Sequence, residues 1–118
     1  MSQTERELPM GARRAVMFAA LGDETRLTLV TKLCDGQAYS ITQLTAEQIG
    51  GEPALTRQAM TKHLRVLERA RLVRCVRAGR EHRFVLNPEP MDELWGYLQM
   101  VSWRWDEALG RLKDFVEE

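Results

Sequence analysis

The sequence predicts a mainly α-helical chain with one small β-hairpin, in the order α-α-α-α-β-β-α. Three observations predict it. Apolar residues recur at helical spacing through successive segments before residue 71 and through one long segment after residue 90. Between them, Leu72–Arg77 and Glu81–Leu86 are rich in Val, Phe and Leu and are joined across Ala78-Gly79-Arg80, a hairpin signature. The chain has 118 residues, 44% hydrophobic and 29% charged, which suits one folded domain over 1–118 and is too short for two.

Residues 1–9 are polar and are expected to form a flexible N-terminus without the apolar core of a signal peptide. Met10 to Leu21 is Ala-rich with Val16 and Phe18, and Gly22 is a C-terminal stop. Asp23 caps a second helix whose stripe, Leu27, Val30, Leu33 and Cys34, is expected to face inward until Gly36 ends it. Tyr39-Ser40-Ile41 reads as a short extended piece. Thr42 is then the N-cap expected for a short helix, Gln43 to Ile49, with Leu44 and Ile49 inward. Gly50-Gly51-Glu52-Pro53 cannot continue a helix. Asn87-Pro88-Glu89-Pro90 ends the hairpin, since prolines cannot pair on, and the last helix is expected from Met91 to Glu118.

The segment Thr56–Ala70 organises the rest. Met60, Leu64 and Leu67 form one side of a 3.6-residue period, while Gln58, Thr61, Lys62, Arg65 and Arg69 form the other. Every residue of that outer stripe donates hydrogen bonds and three are cationic, which suits an anionic partner with readable edges, duplex DNA foremost. A short helix, a glycine-containing turn and this second helix make a helix-turn-helix, and the basic hairpin after it makes a wing. Net charge is zero, yet residues 57–83 carry nine Lys/Arg against two Glu, a local +7, while residues 89–118 carry −5. Local charge governs phosphate contact within a Debye length of about 8–10 Å.

The blocks A-L-G-D-E-T-R-L-T-L-V (20–30), L-T-R-Q-A-M-T-K-H-L-R-V-L-E-R-A-R-L-V (55–73) and F-V-L-N-P (84–88) resemble the winged helix-turn-helix repressors of the ArsR family, over about residues 12–115. The R-Q-A-M-T-K-H-L wording and Trp-rich tail are similar to its branch of non-metal autorepressors, often encoded beside START-like proteins. The resemblance implies a homodimer, formed through the first and last helices, on an inverted-repeat operator of double-stranded DNA in its own promoter region. The family usually has Gly in the turn after the recognition helix. Arg71 stands there, and because arginine tolerates positive φ poorly, that turn is expected to be built differently.

Near the start of the helix, Arg57, Gln58, Thr61 and Lys62 are the candidate base readers. Gln58 suits adenine, and Arg57 or Lys62 suits guanine or phosphate. Thr56 and Arg65 suit phosphates, with His63 packed or phosphate-bonded at the stripe's edge. Arg77, Arg80 and Arg83 of the wing suit the minor groove or the flanking backbone. In the last segment Leu94, Leu98, Val101, Trp105, Ala108, Leu112 and Phe115 step by fours and threes, a heptad seam for a dimer interface. Trp95, Ser102, Leu109 and Val116 make a second line along its flank, and Trp103 falls off both. The three tryptophans also suit the wall of a small-molecule pocket, though a dimer core is the commoner use of such a stripe.

The region Ser40–Leu44 lacks thiol and imidazole, and the last segment has Asp92, Glu93, Asp106 and Glu107 but no histidine, so neither family metal site is expected. Cys34 and Cys75 form no C-x-x-C pair. A thiol switch stays as an alternative, with Arg74 and Arg77 flanking Cys75. No cofactor motif, P-loop, G-x-S-x-G or H-E-x-x-H occurs, which argues against an enzyme. No apolar run is long enough for a membrane span, and the expected location is the cytoplasm. A winged-helix module that binds protein instead of DNA is the competing class, and the +7 block favours DNA.

Overall fold

The computed structural model describes residues 10–51 and 53–117; the stretch 1–9, for which the sequence predicts flexibility, lies outside the described residues. The chain divides into two compact units between Pro88 and Glu89. The first contains α1 (Met10–Leu21), α2 (Glu24–Leu33), β1 (Tyr39–Ser40), α3 (Ile41–Ala46), α4 (Arg57–Arg69), β2 (Val73–Ala78) and β3 (Glu81–Leu86). The second is built on α5 (Pro88–Glu117).

Polar side chains start the helices. Asp23 Oδ2 accepts the Arg26 amide at 3.0 Å, and Thr56 Oγ1 accepts the Ala59 amide at 3.0 Å, as the sequence predicts. The cap of α3 is Ser40, not the expected Thr42. Ser40 Oγ accepts the Gln43 amide at 3.1 Å while Gln43 Oε1 accepts the Ser40 amide at 2.8 Å. This reciprocal box satisfies two orphan donors where a lone threonine cap satisfies one, so the helix begins at Ile41. It ends at Ala46, and positive φ at Gln48 and Gly50 folds the chain back, with Ile49 still buried. A Cβ on Gly50 would lie 3.0 Å from Leu55 Cδ1, so only glycine fits both the backbone and the space.

The core of the first unit is built chiefly on α2, α3, α4 and the strands β2 and β3. Leu29 and Leu33 of α2, Leu44 of α3, Met60, Leu64 and Leu67 of α4, and Leu72, Val73 and Phe84 are fully buried. Each such side chain removed from water contributes roughly 1.5–3 kcal/mol before entropy is subtracted. The face of α2 differs from the expected one. Leu27 is 51% exposed and Cys34 is exposed, whereas Leu29, Val30 and Leu33 are inward. Cys34 is the C-cap, beyond the last turn, and Arg26 shares the inward side, its Nε donating to the Ala20 carbonyl at 2.6 Å.

The strands form an antiparallel sheet in the order β1-β3-β2. Val73 to Ala78 pair with Leu86 to Glu81 around Gly79-Arg80, and Gly79, at φ 66°, supplies the positive φ that favoured two-residue loops require. Tyr39 and Ser40 pair with Phe84 and Arg83, so the expected extended piece is a third strand. Beside it, Tyr39 Oη donates to Asp35 Oδ2, and Lys32 Nζ lies 2.9 Å from Glu47 Oε2 and over the Tyr39 ring. These bonds raise the Tyr39 phenol and the Lys32 ammonium above their ordinary values and lower the Asp35 carboxyl.

The turn after α4 corrects a third expectation. Arg71 does adopt the left-handed conformation, with φ 65°. The Leu72 amide donates to the Leu67 carbonyl at 3.0 Å and the Arg71 amide to the Glu68 carbonyl at 2.9 Å, the paired bonds of a Schellman motif. Asn87 holds its outer side, Nδ2 on the Arg71 carbonyl at 2.8 Å and the amide on the Leu72 carbonyl at 2.9 Å. The burial of Leu67 and Leu72 outweighs the roughly 1–2 kcal/mol that an L-residue loses there.

Helix α5 starts three residues before the expected Met91, because prolines at 88 and 90 fall in a first turn where amides have no helical acceptor anyway. Its 30 residues span about 45 Å. Arg71→Gly should raise stability by about 0.5–1 kcal/mol and Asn87→Ala should lower it by about 1 kcal/mol, both read from urea denaturation. A loss of stability in Arg71→Gly would show that the turn is not strained.

Candidate nucleic-acid interface

Sealing Met60, Leu64 and Leu67 leaves one way for the rest of α4 to face. Arg57, Gln58, Lys62, Arg65 and Arg69 are exposed along it, with Thr56 at its head, also exposed, and Thr61 half-buried at its side. Thr61 Oγ1 donates to the Arg57 carbonyl at 2.7 Å, leaving the oxygen as an acceptor. Thr56 accepts in its cap, so its hydroxyl hydrogen remains for an outside acceptor. Arg65 is held by Glu68 at 2.7 Å, a tie that an anion must compete with. Among the described residues, Lys62 and Arg69 enter no ion pair.

His63 is placed differently from its neighbours. It is half-buried against α2, with Nδ1 3.3 Å from Arg26 Nη1 and 3.7 Å from Asp23 Oδ2. It therefore fixes the pose of α4 on the core instead of joining the exposed stripe. Asp23 is held below the usual carboxylate value, first by the Arg26 amide and then by the charges of Arg26 and His63.

The wing adds Arg77, Arg80 and Arg83. Arg77 Nε donates to the Gly79 carbonyl at 3.2 Å, bracing the tip, and Arg83 Nε donates to Glu81 Oε1 at 2.8 Å. Arg80 is exposed in the loop itself. One feature without a sequence signal is Thr42: Arg57 Nη1 donates to its hydroxyl, fifteen residues earlier. Arg57, Thr42, Arg80 and His82 line a cleft of about 440 Å³ between the two helices and the wing. His82 Nδ1 lies 3.6 Å from the half-buried Cys75 Sγ, while Cys34 is exposed far from this group in sequence. Among the described residues no three His, Cys, Asp or Glu gather to hold a metal, and no helix is long and apolar enough to cross a membrane.

On α5, the seam residues Leu98, Val101, Trp105, Leu112 and Phe115 are exposed, up to 75% at Phe115, and Ala108 is half-buried. Leu94 is the exception at 3%. Trp95, Leu109 and Val116 of the flanking line are exposed too, as is Trp103. A groove of about 640 Å³ on this helix is lined by Trp95, Leu98, Gln99, Ser102, Trp103 and Trp105, among others. Apolar side chains left exposed together along one helix are the kind of surface that suits a partner.

No family model matches the chain. It is 36% identical over 86 residues, 72% of its length and 94% of the other's, to an uncharacterized HTH-type transcriptional regulator of Bacillus subtilis, YuzN. An ArsR-like transcriptional regulator from Rhodococcus sp. RHA1 superposes with a TM-score of 0.71 at 33% identity, covering 88% of this chain and 92% of that one. A homodimeric winged helix-turn-helix DNA-binding domain from Mycobacterium bovis shares the fold, with a TM-score of 0.60 at 21% identity over 83% and 82% of the two chains.

The Asp23 cap sets an acid limit. Its carboxyl binds a proton less tightly folded than unfolded, so its stabilisation is complete above the ordinary value of 3.8 and is lost as pH falls through the lowered folded value. Asp23→Asn, which can also cap, should flatten that part of the stability profile in acid denaturation while leaving stability near neutrality within about 1 kcal/mol. An unchanged acid limb in the variant would remove Asp23 as its source.

Proposed function

Because the chain belongs to the ArsR family of winged helix-turn-helix transcriptional regulators, we propose that it works as a homodimeric repressor that covers an inverted-repeat operator and keeps polymerase from the promoter, its own included. The observation that carries this reading is the single exposed face of α4. Gln58, Lys62 and Arg65 stand there over a sealed apolar side, next to a basic wing. Gln58 and Lys62 read bases in the major groove, and Thr56 and Arg65 hold phosphates.

The dimer is supported by the seam, whose members Leu98, Val101, Trp105, Leu112 and Phe115 lie open in the single chain, and by the homodimeric state of the Mycobacterium bovis domain. Two α4 helices then enter successive major grooves about 34 Å apart. The regulator acts without metal sensing, because Ser40–Leu44 supplies no thiol or imidazole and α5 no histidine, the donors that borderline metals need. DNA as partner places it in the cytoplasm.

Lys62→Ala and Gln58→Ala should each weaken operator binding about 10-fold or more, with circular dichroism unchanged, and binding should fall linearly with the logarithm of salt. Undiminished affinity in both variants would remove α4 as the reading element. Leu112→Asp should yield a folded monomer in sedimentation experiments. A dimer that persists unchanged would place the interface elsewhere.

A further inference from the structure

We propose that the cleft between the helix-turn-helix and the wing is a subsite for one phosphodiester of the duplex backbone, and that Arg57 is its principal ligand instead of a base reader. This rests on the DNA-binding reading and revises one residue of it. The cleft is walled by three elements: Thr42 from α3, Arg57 from the first turn of α4, and Arg80 and His82 from the wing.

Arg57 decides the matter. Its Nη1 donates to Thr42 Oγ1, so the guanidinium is drawn across to the neighbouring helix and off the exposed stripe that carries Gln58 and Lys62. One edge of the planar group is thereby occupied, and its remaining N–H donors suit the forked geometry of a phosphate. In a helix-turn-helix the first helix crosses the sugar–phosphate backbone, and Thr42 sits at the start of that helix. Arg80 brings a second cation, and among the described residues it enters no ion pair. With Nδ1 of His82 beside Cys75 Sγ, Nε2 is the ring nitrogen left for a ligand. The one carboxylate in the lining, Glu81, already accepts from Arg83 Nε at 2.8 Å, which blunts its repulsion of an anion. Thr42 is thus a positioning residue: it aims Arg57.

The test compares the full chain and the variants Arg57→Gln, Arg57→Lys, Arg80→Gln, Thr42→Val and Gln58→Ala. Each is titrated against an operator duplex, recovered by selection from genomic fragments, and against an unrelated duplex, over a salt series. Arg57→Gln and Arg80→Gln should weaken both duplexes by the same factor, about 5- to 10-fold, and each should lower the log–log salt slope by about 0.9. Arg57→Lys should restore the slope but not the full affinity. Thr42→Val should weaken both duplexes about 3-fold with the ranking of base substitutions intact, whereas Gln58→Ala should flatten that ranking. Neutralising single phosphates as methylphosphonates should reveal one backbone position at which the Arg57→Gln loss disappears. A loss in Arg57→Gln confined to one operator base pair, with the slope unchanged, would overturn the subsite and leave DNA binding standing. A wild-type chain that retains neither duplex would overturn the DNA-binding reading and the subsite with it.

Discussion

Helix α4 can bury Met60, Leu64 and Leu67 together in only one rotation, and the rest of the first unit depends on that. A shift of one residue turns a helix by about 100°, enough to carry Leu64 to the surface and Lys62 inward. The fully buried apolar side therefore fixes the direction of the polar side. His63 reinforces the same rotation from the edge, through contacts of 3.3 Å to Arg26 and 3.7 Å to Asp23 that link α4 to the start of α2. The Schellman turn continues the constraint: Leu72 must follow Leu67 into the core, and this sets where β2 leaves the helix.

Much of this was legible in the residues because the contrast along α4 is strong, three large apolar side chains against cations and amides. Its threonine cap was legible for the same local reason, and so was the hairpin, although Ala78 pairs with Glu81 and the loop is Gly79-Arg80 instead of the expected Ala78-Gly79-Arg80. Elements decided by distant partners were not. Tyr39-Ser40-Ile41 reads locally as extended, but its pairing as strand β1 depends on Phe84 and Arg83, more than forty residues later. The contact from Arg57 to Thr42 joins two helices across the glycine break and has no periodicity to announce it. On α2, Leu27 and Leu29 are the same residue type two positions apart, and the side that faces the core is the one shared by Leu29, Val30 and Leu33. The Ser40 cap was within reach: S-I-T-Q is a capping-box pattern, and its glutamine outranks a nearer threonine.

The charge distribution shows why a bulk statistic misleads. A chain of zero net charge has little long-range pull on a polyanion, so its encounters rely on the +7 concentrated between residues 57 and 83. Several of those cations are already engaged, Arg65 with Glu68 and Arg83 with Glu81. In the proposed complex, binding would exchange one anion for another at these positions, and Lys62, Arg69 and Arg80, which enter no ion pair among the described residues, would carry more of the counterion release.

Ser40 belongs to two structures at once, as the last residue of β1 opposite Arg83 and as the cap of α3. Ser40 thus ties the wing to the first turn of the helix-turn-helix, and in the proposed complex the two parts would meet a duplex braced against each other. Less ordering entropy is lost on association than for a freely hinged hairpin. On the DNA-binding reading proposed above, such a brace would favour grooves whose width matches the fixed spacing of helix and wing, and a two-residue strand would then gauge DNA shape.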